Sequence, residues 1–359
     1  MLVSAPDAAP PKSRRSAGDS PLLAEPMPFP ATIPAGFVPL SDEPRFDPRR
    51  HLALTRPERI WTLAELGYGP DEVAQCASPV AVTAPFRILS DEGARAIREV
   101  LLELKKQSSV ATGSRLSVFV RGAVYMSRFL RDLNACQQVA DHLSEIAQTP
   151  LAPHTMPNMQ GYVNYAPEDL SRAVDTWHTD ATGFAYVMIA SDPATLHGGR
   201  FQWFHGTKAE AAAFFGTTPE NLHRGYAEGL PADRINSVEF PAAGWAVFQQ
   251  GYKLLHRAAA LTRPGERITY VPSWVSRQVE FPDPTNTRSM RHYGQMGLLT
   301  EIARHAAWLA RAKLDTLIRE MPFSSDPAEL AAALRLAVAD ATRIAHELET
   351  AEAERPKRD

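Results

Sequence analysis

The apolar positions of this chain fall into distinct textures. In "LSDEGARAIREVLLELKK", Ile97, Val100, Leu101 and Leu104 recur at three- and four-residue steps behind Ser90 and an acidic first turn, which predicts an amphipathic helix. A second helix is predicted through "MSRFLRDLNACQQVADHLSEIAQ". Between "MQGYVNYAP" and "ITYVPSWVS" the apolar runs shorten and are separated by Gly, Pro, Asn and Asp, the texture of antiparallel strands. After "MRHYGQMG" helical spacing returns in "LLTEIARHAAWLARAKLDTLIREM" and "PAELAAALRLAVADATRIAHELETAE". Asp326, Pro327 and Glu329 suit the N-cap, N1 and N3 positions of the latter. Two such helices joined by a short loop read as an antiparallel hairpin that covers the β core or a partner subunit, making a homodimer through the C-terminal helices an open expectation.

The amino-terminal side lacks this periodicity. Residues 1–45, rich in Pro, Ala and Ser, predict a disordered or extended arm, because proline removes backbone donors and helix-compatible geometry. Two short helices are predicted over 46–85, around "PERIWTLAEL" and "GPDEVAQCA", the second opened by Pro70 and acidic residues. The plan is then an arm (1–45), short helices packed on the outside (46–85), a mainly β domain with flanking helices (86–290) and a C-terminal helical hairpin (291–359). No internal repeat is present.

Composition narrows the function classes. The 359 residues are 44% hydrophobic and 22% charged, an ordinary globular balance. Net charge is -3 and the basic residues are dispersed, so there is no stripe to neutralise nucleic-acid phosphates. Apolar runs such as "FAYVMIA" are far short of the ~20 residues that span a bilayer, and "MLVSAPDAAPPKSRRSAGDSP" has no apolar signal-peptide centre. These features predict no membrane partner and a cytoplasmic location. Cys76 and Cys136 are far apart with no CxxC partner, which predicts structural thiols rather than a disulfide framework or a zinc site.

The candidate chemistry lies in the β region. In "WHTDATGFAY", His178 and Asp180 stand two positions apart, and on a strand such residues face one side. A lone HxD is a weak sign of metal. His256 in "GWAVFQQGYKLLHRAAAL" adds a second imidazole, and Arg267 follows across the turn "TRPGE". Two imidazoles and a carboxylate on one face of a metal leave open positions, the arrangement of non-haem Fe(II) oxygenases. A dicarboxylic keto acid could chelate such a metal while an arginine fork holds its distal carboxylate, a task for Arg267 with Thr269 as a hydroxyl donor. Arg263, at the turn tip, is the weaker rival. Arg200 and His205 are candidates for substrate contact, each with a bland surface reading beside it. The other histidines, including His142, His305 and His346 in helical segments, read as surface or packing residues.

The ordered set His178-x-Asp180, His256, Arg267-x-Thr269 resembles the iron- and 2-oxoglutarate-dependent dioxygenases, with prolyl-hydroxylase-like or phytanoyl-CoA-hydroxylase-like members as the nearest pattern. The step from His256 to Arg267 matches that family's usual gap, and "YVMIASDPATLHGGRFQWF" resembles the strand, Gly-Gly loop and strand that follow its HxD motif. The resemblance spans about residues 86 to 276. It implies a double-stranded β-helix, or jelly roll, with flanking helices. It further implies Fe(II) held by His178, Asp180 and His256, and 2-oxoglutarate held by Arg267, Thr269 and, at a position where members often carry a tyrosine, Tyr165. The implied reaction uses dioxygen to oxidise an unactivated C–H bond of a small molecule, with release of succinate and carbon dioxide. The retained carboxylate Asp180 favours oxygenation over halogenation. A zinc-dependent hydrolase and a non-catalytic metal-binding jelly-roll protein are the alternatives; the former leaves Arg267 without a task.

Overall fold

A computed structural model of the chain describes residues 23–110 and 118–353. The first strands are β1 (Ile60–Thr62), β2 (Val80–Thr83), β3 (Phe86–Arg87), β4 (Ser109–Val110), β5 (Val118–Val120), β6 (Leu151–Pro153) and β7 (Tyr162–Tyr165). There follow β8 (Asp175–His178), β9 (Phe184–Ile189), β10 (Phe201–Phe204), β11 (Ile235–Val238), β12 (Trp245–Gln249), β13 (His256–Ala258), β14 (Ile268–Val271) and β15 (Ser273–Ser276). Among the described residues they form two antiparallel sheets. The larger has eleven strands along the path β1-β2-β12-β9-β14-β7-β5-β4, with β3, β6 and β15 attached at its sides. The smaller runs β11-β10-β13-β8.

Side-chain alternation along the strands explains how the two sheets pack. On the larger sheet, Tyr186, Met188, Phe248 and Tyr270 face outward onto the helices Asp91–Lys105, Arg128–Asn134 and Gln137–Ala147, meeting Ile97, Leu101, Phe129 and Leu143. Their strand neighbours Val187 and Val247 face inward and meet Phe201, Trp203 and Val238 of the smaller sheet. Central strand β9 is therefore buried along its whole length, which accounts for its unbroken apolar run. The core is thus a two-sheet sandwich with helices covering one outer face.

Two sequence expectations change. The segment "PERIWTLAEL" is not a helix: Ile60, Trp61 and Thr62 pair with β2, and Glu65 accepts from both the backbone N–H and the hydroxyl of Thr62, turning the chain immediately after the strand. The helix predicted from Met126 to Gln148 is two helices, Arg128–Asn134 and Gln137–Ala147. The first ends where the buried Asn134 amide donates to the Gln160 carbonyl and accepts from the Tyr270 hydroxyl, after which extended Cys136 starts the second. The other helix starts are as the sequence suggests: Ser90 Oγ accepts from the Gly93 N–H, and Pro70 stands first in the helix Pro70–Ala74.

Of the predicted arm, residues 1–22 lie outside the described residues. The rest runs without regular structure but is pinned: Ala24 N–H donates to the Arg277 carbonyl, Phe29 and Phe37 pack on Tyr125, and Glu43 accepts from the Arg128 N–H at the next helix start. The helices Leu298–Glu320 and Pro327–Ala353 are bridged by Lys313 and Asp340 at 2.5 Å, with Asp326 capping the second. Leu298, Ile302 and Ile344 pack on Met156 and Met159, so this hairpin lies against the chain's own core. Residues 354–359 lie outside the described residues. Among the described residues, no helix is long and apolar enough to cross a membrane.

Candidate metal centre

The smaller sheet positions the two imidazoles. In the β8–β13 pair, His178 and His256 are directly opposite each other, with ring centroids 4.2 Å apart. His178 Nδ1 lies 2.7 Å from the Thr176 carbonyl, and His256 Nδ1 lies 3.0 Å from that of Leu254. With each carbonyl accepting from an Nδ1–H, both Nε2 atoms present their lone pairs.

Asp180 completes the set from just beyond the strand rather than on it, its N–H bonded to the Gly251 carbonyl at 2.9 Å. Its Oδ1 stands 3.5 Å from His178 Nε2 and 3.6 Å from His256 Nε2. One ligand atom from each residue lies within 4.8 Å of the others, so the donor set fits a single first-row cation. Its second oxygen, Oδ2, accepts from Gln249 Nε2 at 2.9 Å, and the same amide approaches His256 Nε2 at 3.0 Å. Gln249 is fully buried at the end of β12 and faces the site from the opposite sheet. Gly251 matters by its lack of a side chain: a Cβ there would lie 2.0 Å from Asp180 Oδ2.

A register shift between β8 and β13 pairs His256 with His178 but Ala258 with Asp175, giving β8 one extra residue. This bulge lets Asp175 and His178 both face the cleft despite their odd spacing. Asp175 Oδ1 is 3.5 Å from His178 Nδ1.

The larger sheet supplies the facing part of the wall. Arg267 is 2% exposed, its Nε donating to the Gly199 carbonyl at 2.6 Å and its Nη1 standing 3.4 Å from Thr269 Oγ1. Nη2 makes no hydrogen bond among the described residues. Burial lowers Arg267 to about 10, opposed in part by the charge of Asp175, so a guanidinium in this wall gains from an anionic ligand. Gly199 has φ +67, and a Cβ there would come within 2.9 Å of Arg267 Cδ.

The remaining sequence candidates fall elsewhere. Tyr165 faces away from the cleft: β7 pairs Ile268 with Tyr165 and Thr269 with Asn164, so Asn164 joins Thr269 on the cleft wall while Tyr165 enters the outer core and donates to the Leu101 carbonyl. Arg200 pairs with Glu239 at the surface, His205 bonds the Glu65 carbonyl, and Arg263 is exposed. The cleft is lined instead by Arg121, Asn158, Tyr162, Asn164 and Tyr293, in addition to the metal-binding set. Sequence reasoning missed Gln249, Asn164 and Asp175; for Gln249 the one signal was a polar residue closing the apolar run "WAVFQQ" seven positions before His256.

No family model matches this chain, and no curated protein does. Solved structures do. The non-heme alpha-ketoglutarate-dependent epimerase SnoN from nogalamycin biosynthesis is similar at 15% identity and TM-score 0.40, over 58% of this chain and 84% of that one. The non-heme alpha-ketoglutarate-dependent carbocyclase SnoK from the same biosynthesis aligns at 16% identity and TM-score 0.40, over 62% and 88%. EctD from S. alaskensis, solved with 2-oxoglutarate and 5-hydroxyectoine, aligns at 14% identity and TM-score 0.37, over 68% and 86%. Likeness at this level leaves the chemistry to be argued from the side chains of the cleft.

Proposed function

We propose that this chain is an Fe(II)- and 2-oxoglutarate-dependent oxygenase that hydroxylates an unactivated C–H bond of a small molecule, built on a double-stranded β-helix. The observation that carries the reading is the pairing of two features in one cleft: an open three-ligand set from the smaller sheet and a buried, anion-seeking guanidinium from the larger. A zinc hydrolase would use the first and leave the second without a task.

His178, Asp180 and His256 would hold the iron, and Arg267 with Thr269 would hold the distal carboxylate of the keto acid. When bound, the iron supplies the activation of dioxygen coupled to oxidative decarboxylation of 2-oxoglutarate. The protein's own part is positional. The Thr176 and Leu254 carbonyls fix the imidazole tautomers, Gln249 turns Asp180 so that one oxygen faces the metal, and Gly199 aims Arg267. Val187, Phe201 and Val271 give the cleft apolar wall that limits water beside the reacting carbon. Self-association through the outer face of the C-terminal hairpin, where Ile318, Phe323 and Leu334 are exposed, is part of the same proposal and is read by sedimentation.

Anaerobic addition of Fe(II) and then 2-oxoglutarate tests the reading. A weak visible charge-transfer band should appear in the wild type and be absent in His256→Ala. A metal-loaded wild type without the band sinks it, as does activity kept in zinc and lost in iron.

A further inference from the structure

The cleft contains a second arginine that the metal and the keto acid do not employ. Arg121 lies between β5 and the next helix, and its guanidinium carbon sits 4.0 Å from the Tyr293 ring centroid, 4.9 Å from that of Phe119 and 5.1 Å from that of Tyr162. Nη2 donates to the Tyr162 hydroxyl at 3.2 Å. Among the described residues, Nε and Nη1 make no hydrogen bond and no carboxylate pairs with this cation. Arg257, the third arginine on the cleft wall, is by contrast bonded to Gln202 and Glu228.

Position separates the two unpaired arginines. Arg267, His178 and His256 are buried, whereas Arg121, Tyr162 and Tyr293 are half-buried and form the solvent side of the same cleft. Arg121 is thus the more solvent-exposed of these two cleft arginines and Arg267 the more deeply buried. The rings surround the guanidinium at cation–π distance, and the N–H groups that make no bond among the described residues lie, as in any guanidinium, in its plane. That plane is where an oxyanion binds in bidentate fashion. The setting is also braced. Asn158, beside Arg121 on the wall, is fixed by Glu301 of the first C-terminal helix, and Tyr293 comes from the segment leading into that helix.

We propose that Arg121 is the substrate's anchor, and that the substrate is a small organic anion, carrying a carboxylate or a phosphate monoester at one end and an apolar body that reaches toward the metal-binding residues. This deepens the oxygenase reading and rests on it for which face of the cleft holds the co-substrate.

The test uses protein loaded with Zn(II), as a redox-inactive substitute, and 2-oxoglutarate. Fluorine NMR is recorded on a panel of fluorinated phenylacetates and phenylpropionates, their primary amides, and fluorophenyl phosphates. At least one carboxylate or phosphate should bind while the matching amide does not, and the arm that binds names the oxyanion. Arg121→Met should weaken that binding at least tenfold, with Arg121→Lys recovering part of it. The proposal is overturned if no anion in the panel binds, if amides bind as well as acids, or if Arg121→Met binds acids like the wild type. The acid-against-amide comparison on the wild type needs no variant and stands even if Arg121→Met fails to fold. The Fe(II)/2-oxoglutarate absorption band separates the two ideas. A wild type without it removes the oxygenase reading. A band that persists in Arg121→Met beside charge-blind ligand binding removes the anchor alone.

Discussion

The carboxylate of Glu301, on the helix Leu298–Glu320, accepts from both the backbone and the side-chain nitrogen of Asn158, at 3.0 and 2.9 Å, and from the Tyr125 hydroxyl at 2.5 Å. One buried acid thus joins the C-terminal layer to the cleft wall. Burial raises Glu301 to about 7 against the lowering effect of those hydrogen bonds, so the folded protein holds a proton that the unfolded chain, at the ordinary glutamate value of 4.5, releases. The stability linked to that proton is full below about pH 4.5 and is lost as pH rises through about 7. The shift corresponds to about 3 kcal/mol at most. Glu301→Gln, which mimics the protonated acid, should gain stability relative to wild type over that window in urea unfolding. His154, lowered to about 3 by burial and then by His305, pushes stability the opposite way, but it is common to both proteins and cancels in the difference. A pH-independent difference would remove the role given to Glu301.

Gly251→Ala should disable the metal centre without disturbing the sandwich. The added Cβ would stand 2.0 Å from Asp180 Oδ2, and the carboxylate must move away from the histidines. Loss of Mn(II) binding by electron paramagnetic resonance, with an unchanged far-ultraviolet circular dichroism spectrum, is the expected pair of results. Retained Mn(II) binding would contradict the ligand set.

Gln249→Leu probes the support behind the ligands. Removing the amide takes from Asp180 Oδ2 the hydrogen bond that Gln249 donates, and with it one constraint on the carboxylate's orientation. Outer partners of this kind are worth about 10- to 100-fold in metal affinity. Fe(II) affinity should fall within that range while 2-oxoglutarate still binds at saturating metal. An unchanged affinity would make Gln249 a packing residue only.

Arg267→Met should raise the concentration of 2-oxoglutarate needed for half-saturation by about two orders of magnitude, in line with about 2–5 kcal/mol for truncating one partner of a buried charge pair. Metal affinity should stay near wild type, which distinguishes this variant from His178→Ala. Gly199→Ala, which crowds the Arg267 side chain, should show a weaker form of the same split. Equal losses of metal and keto acid would place Arg267 in the wrong role.

The parts that were legible in the sequence are those where chemistry and spacing coincide. His178, Asp180, His256 and Arg267 could be picked out because few structural roles ask for those residue types in that order, and the turn "TRPGE" tied the last two together. Tyr165 was placed on the wrong face because "YVNY" carries an aromatic residue at both strand parities, and only the register with β14 decides that Asn164 faces Thr269. Trp61 was read as helical because β1 is three residues long, too short for alternation to show, and gains its backbone partners from β2. Asp175 was hidden by the bulge in β8, and Arg121 by its distance along the chain from every motif.

The residues proposed to hold the metal and the arginine proposed to hold the keto acid come from opposite layers of the sandwich. Stacked sheets keep a separation of about 10 Å set by the side chains between them. On the proposed reading, the filling of Val187, Val247, Phe201 and Trp203 would set the length of keto diacid that can bridge the two layers. Thinning the filler with Phe201→Leu should shift the preference among oxaloacetate, 2-oxoglutarate and 2-oxoadipate, and an unaltered ranking would show that the gauge is set elsewhere.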